Sequence, residues 1–97
     1  MKVLAIGSIV KELTPAQRDE IMPHEVPATL KLYLDGKIEQ YWFRQDKPGV
    51  VFLMSSGSVD EVKATLDTLP LVEADILAFD LLAVGPLAPL GLLLQGK

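Results

Sequence analysis

Hydrophobic and polar positions fall into blocks whose periods differ. Val3 to Val10 is apolar on both parities and rich in β-branched residues, the pattern of a strand covered on both faces and therefore central in its sheet. At Thr14 the pattern changes. Thr14-Pro15-Ala16-Gln17 predicts a helix start, with Thr14 as N-cap, Pro15 where a missing N–H costs nothing, and Gln17 closing a capping box. Val26, Leu30, Tyr33 and Leu34 then recur at helical spacing, which predicts one apolar face with Glu25, Lys31 and Asp35 toward water. Pro23 and Pro27 each remove a backbone donor, so a kink or restart near Met22 is expected. Asp35-Gly36 ends the helix.

From Ile38 the period returns to two. Glu39, Tyr41 and Phe43 fall on one face, and Ile38, Gln40, Trp42 and Arg44 on the other. Lys47-Pro48-Gly49 suits a type II turn, and Val50 to Met54 returns antiparallel, so Ile38 to Met54 reads as the hairpin in the middle of the chain. Ser58-Val59-Asp60-Glu61 predicts a second capped helix, with the Glu61 carboxylate reaching back to the cap. Its apolar stripe is Val59, Val62, Leu66 and Leu69, and Pro70 ends it. Ile76 to Val84 is the last strand, broken only by Asp80 and stopped by Gly85-Pro86.

The order strand, helix, strand, strand, helix, strand predicts an α+β, ferredoxin-like βαββαβ fold: a four-stranded antiparallel sheet with two helices on one face. The second sheet face would stay bare. A second sheet packed on it, in a two-fold dimeric α/β barrel, is the simplest remedy.

Composition sharpens this picture. The 97 residues suffice for one domain, 1–97, and a hydrophobic share of 49% exceeds what a lone small domain needs, so a homodimer or higher homo-oligomer is expected. The apolar tail 88–97, broken by Pro89 and Gly91, is expected to pack on a partner subunit. A net charge of −4 with no basic stripe argues against nucleic acid. The opening apolar run is too short for a signal peptide, and Leu81 to Gln95 is interrupted well below membrane-span length, so no membrane role is expected. Absence of cysteine fits a reducing compartment, and the protein is expected to be cytoplasmic.

Ser58-Val59-Asp60-Glu61, Leu69-Pro70-Leu71 and the strand ending Val84-Gly85-Pro86-Leu87 together resemble the muconolactone isomerase family of dimeric α/β-barrel proteins. The resemblance covers most of residues 50 to 88. It implies an isomerase-like enzyme that moves a proton along a small organic acid or lactone.

Candidate chemistry lies in two places. His24 and Glu25 are the candidate acid/base pair, His24 because imidazole titrates near neutrality; the alternative is a surface histidine beside a helix-end carboxylate. Tyr41, Arg44 and Asp46 are the candidate substrate-binding set: arginine's planar fork suits the carboxylate of a small apolar or aromatic organic acid. The alternative is an Arg44–Asp46 pair across the turn. Asp80, inside an apolar strand, could serve as a base or merely bond to a neighbour such as Lys2. One histidine and no cysteine support no metal site, phosphate-loop and dinucleotide fingerprints are missing, and no cofactor is expected. A non-catalytic small-molecule-binding or accessory module remains the alternative function.

Overall fold

The computed structural model describes residues 1–85; the tail 88–97 lies outside the described residues. Seven elements follow one another: β1 (Lys2–Ile9), α1 (Pro15–Leu34), β2 (Ile38–Phe43), β3 (Gly49–Ser55), α2 (Val59–Leu66), α3 (Pro70–Glu73) and β4 (Leu77–Val84). The strands form one antiparallel sheet in the order β2-β3-β1-β4, which is the ferredoxin-like arrangement. β1 is central, as its two-sided apolar pattern requires.

Odd positions of β1 face the helices. Val3 and Ala5 are fully buried with Ile38, Phe52, Met54, Val62, Leu66 and Leu69, and Ala28 and Leu32 of α1 close over them. A second cluster, Leu71, Ile76 and Leu77, is covered by Ile21 and Met22. The even positions, Leu4 and Ile6, share the other face with Val51, Leu53, Trp42, Leu82 and Val84. No described element covers that face, and Trp42, Leu82 and Val84 stay exposed.

Several expectations are corrected. α1 runs unbroken from Pro15 to Leu34 despite Pro23 and Pro27. The prolines stand one turn apart on the solvent side, where water can take the carbonyls they leave without partners. The side of α1 that faces the sheet is also not the expected one: Val26, Leu30, Tyr33 and Leu34 are exposed, whereas Glu25 is buried. In β2 a register shift between Ile38 and Gln40 sets two residues against one on β3, and this bulge turns Ile38 into the core beside Tyr41's face instead of Trp42's.

At the hairpin, Gly49 takes a positive φ of 158°, but as the first, extended residue of β3 and not in a type II turn. Its backbone runs so close to β1 that an added Cβ would stand 2.1 Å from the Gly7 carbonyl oxygen. The capping boxes form with one change. Thr14 and Gln17 bond reciprocally, whereas the Glu61 carboxylate reaches past Ser58 to the Gly57 N–H and the Ser56 hydroxyl. The second helix stops at Leu66, and Pro70 opens the short α3.

Candidate functional site

The open sheet face is apolar in its middle, with Lys2, Gln40 and Ser55 at one end and a second polar group at the other. There Arg44, just past β2, extends across Gly49 of β3 toward Ser8 of β1, and its NH1 donates to the Ser8 hydroxyl at 2.8 Å. The arginine passes close over Gly49, where a Cβ would lie 2.9 Å from Arg44 Cδ, although the tighter constraint on that glycine is the Gly7 carbonyl oxygen. The remaining edge of the guanidinium is taken by Asp46, Nε donating to Oδ1 at 2.9 Å and NH2 to Oδ2 at 2.6 Å. Asp80 of β4, opposite Ile6 of β1, faces the same side. Hydrogen bonding to Asp46 is the main influence that raises the Arg44 pKa above its usual value, outweighing desolvation, and Asp80 adds a smaller attraction. The same bonds hold the Asp46 carboxyl below its ordinary value.

Of the residues singled out from sequence, Arg44 and Asp46 are therefore paired, with Asp80 on the same face, whereas Tyr41, His24 and Glu25 are elsewhere. Tyr41 faces the helix side and meets Tyr33 of α1 edge-on, ring centroids 5.1 Å apart. His24 is exposed on α1, in the layer across the sheet from Arg44. Glu25 points inward: Oε1 accepts from the Leu71 N–H at 2.9 Å and Oε2 from the Thr29 hydroxyl at 3.0 Å. Leu69, the N-cap of α3, supplies no side-chain cap, so Glu25 does that work from α1. Lys2 pairs with Glu39 and not with Asp80. Ser8 was not a sequence candidate; its only signal was a hydroxyl in an apolar strand on the parity of Leu4 and Ile6.

Two shallow grooves open on the helix side. One, about 340 Å³, runs between α2, α3 and β4 past Lys63, Leu66, Val72 and Phe79. The other, about 400 Å³, lies beside Lys37, Met54, Ser56 and Glu61. Among the described residues no group of three or more His, Cys, Asp and Glu is placed to hold a metal ion, and no helix is long and apolar enough to cross a membrane.

The backbone has close counterparts among solved structures. Muconolactone isomerase superposes with a TM-score of 0.75 over 89% of this chain and 90% of its own, at 16% identity. The fold is that of muconolactone isomerase. A second enzyme, 5-chloro-2-hydroxyhydroquinone dehydrochlorinase (TftG) from Burkholderia phenoliruptrix AC1100 in complex with 2,5-dihydroxybenzoquinone, gives 0.68 over 88% of this chain and 94% of its own, at 17% identity. No family model matches the chain, and no curated protein is significantly similar to it in sequence. The likeness to muconolactone isomerase thus rests on chain path, which follows the apolar positions, and not on shared side-chain chemistry.

Proposed function

We propose that the protein is a homodimeric proton-transfer enzyme acting on a small organic acid or lactone, with the open sheet face as its site. The observation that carries this reading is the cluster on that face: Leu4, Ile6, Val51, Leu53 and Trp42 form an apolar floor, with Ser8, Arg44 and Asp80 on the side of it away from Lys2, Gln40 and Ser55. A second copy packed face to face would cover the floor and enclose the polar end. The names of the two structural neighbours support the substrate class, since muconolactone and dihydroxybenzoquinone are both small oxygen-bearing rings.

In this reading Asp80 takes a proton from the saturated ring carbon at the far end of the conjugated lactone, which leaves a dienolate, and the proton is then delivered to the carbon next to the ring carbonyl. Arg44 and the Ser8 hydroxyl hold the carbonyl oxygen on which the dienolate charge develops, and the return of the proton beside that carbonyl moves the double bond and restores Asp80. His24 has no part, because α1 lies on the opposite side of the sheet, and Glu25 serves the α1–α3 junction.

The test is proton exchange. Purified protein incubated with muconolactone in D2O should place deuterium in the ring at a rate proportional to protein, and Asp80→Asn, at an exposed position, should fold normally and abolish it. Uptake that survives Asp80→Asn would remove Asp80 as the base, and no uptake would sink the enzyme reading. The second reading, a binding module without turnover, is favoured by one observation, that the fork of Arg44 is already filled by Asp46.

A further inference from the structure

The Arg44–Asp46 pair is lopsided. The arginine side chain is 14% exposed and fixed by a third bond to Ser8, whereas the aspartate is 64% exposed on the loop from Gln45 to Pro48, all of whose residues are exposed. One partner is built into the sheet, and the other approaches from solvent. Even with bidentate geometry, a pair with one partner this exposed is screened by water and salt. Three strands nevertheless cooperate to build it: β2 delivers the arginine, Gly49 of β3 clears its path, and Ser8 of β1 fixes its far nitrogen.

We propose that Arg44 is a carboxylate-docking fork that the chain keeps self-occupied, with Asp46 standing where the carboxylate of a small organic acid binds. The proposal rests on the open face being the ligand site, and it names the substrate group that this face would take. Nε and NH2 already meet a carboxylate side by side at 2.9 and 2.6 Å, which is the geometry of bidentate recognition. Exchanging Asp46 for a ligand leaves one carboxylate on the fork and releases the Asp46 carboxylate into solvent, where its charge is screened. Asp46 therefore acts as a competitor. It lowers apparent affinity by the fraction of time it holds the fork, and it keeps neutral rings from displacing it.

The experiment is calorimetric titration of the full-length protein with sodium benzoate, and with benzamide as the uncharged counterpart, at constant ionic strength. Asp46→Asn should bind benzoate about fivefold more tightly than the wild type, the order expected when an exposed ion pair stops competing. Benzamide should show no such gain. In Asp46→Asn, the side-chain Nε–H resonance of Arg44 should shift with benzoate, a readout that needs no arginine variant to fold. Arg44→Gln in the Asp46→Asn background should lose the gain. Unchanged affinity in Asp46→Asn, a gain that survives Arg44→Gln, or an unmoved Nε–H signal would each overturn the fork. Tight benzoate binding without deuterium uptake would support the fork and count against proton transfer. Uptake from muconolactone with no benzoate binding would overturn the fork and leave proton transfer standing.

Discussion

Replacing Glu25 separates its packing role from a catalytic one. Glu25 is 6% exposed, and its carboxylate joins two elements that are otherwise held by apolar contact, accepting from the Leu71 N–H of α3 and the Thr29 hydroxyl of its own helix. In Glu25→Ala the Leu71 N–H, on a residue only 7% exposed, is left with little access to water. A hydrogen bond to a charged group contributes about 1.5–3 kcal/mol, and a stranded buried donor costs about 1–3 kcal/mol in an overlapping account. The expected loss is therefore about 3 kcal/mol, or roughly 12–24 °C in Tm for a domain of this size. Glu25→Gln keeps a carbonyl for Leu71 and an amide for the Thr29 oxygen, so its loss should be about 1 kcal/mol. Urea unfolding at one fixed protomer concentration measures both, because self-association would make the midpoint depend on concentration. An alanine variant within about 0.5 kcal/mol of wild type, or a glutamine variant as costly as alanine, would refute the capping role.

Two further predictions follow from local geometry. Gly49→Ala forces a Cβ to 2.1 Å from the Gly7 carbonyl oxygen, so β1 and β3 must part; a loss of about 1–3 kcal/mol, read by urea midpoint, is expected, and Arg44 Nε–H should lose its protection from solvent exchange. Glu61 has its carboxyl held below the ordinary 4.5, first by the Ser56 hydroxyl and then by the Gly57 N–H. A carboxyl lowered on folding stabilises fully above its unfolded value and loses that contribution as pH falls through the folded one. Glu61→Gln should accordingly be less stable than wild type at pH 7, with the gap closing below about pH 4.5; a gap that stays constant to pH 2.5 would contradict the assignment.

Much of the fold was legible because it depends on signals a few residues long. The Thr14 and Ser58 caps, the two-sided apolar pattern of β1 and the hairpin after Gly36 each fix a local element, and their order leaves few topologies. The orientation of α1 was not legible. It carries two apolar stripes, and Ala28 and Leu32, not Leu30 and Leu34, face the sheet because prolines 23 and 27 can stand only where their missing donors face water. The bulge at Glu39 was equally hidden, since strict alternation predicts no flip and a one-residue slip changes which face Ile38 joins.

The candidate site was half legible for the same reason. Arg44 and Asp46 are two residues apart and their pairing could be foreseen; Ser8 is 36 positions from Arg44 and meets it only because β3 lies between their strands. That long-range contact distinguishes the two ways of regarding the pair. A turn stabilised by a local ion pair needs only Arg44 and Asp46, and would work equally well with the arginine in solvent. It gives no reason for the side chain to lie on an apolar face or for β1 to interrupt its apolar positions with a hydroxyl. Both lower local stability, since the hydroxyl and the guanidinium are each partly desolvated. A group held so firmly, with its one exposed edge filled by a carboxylate on a solvent-facing loop, is pre-organised for a carboxylate that comes from elsewhere.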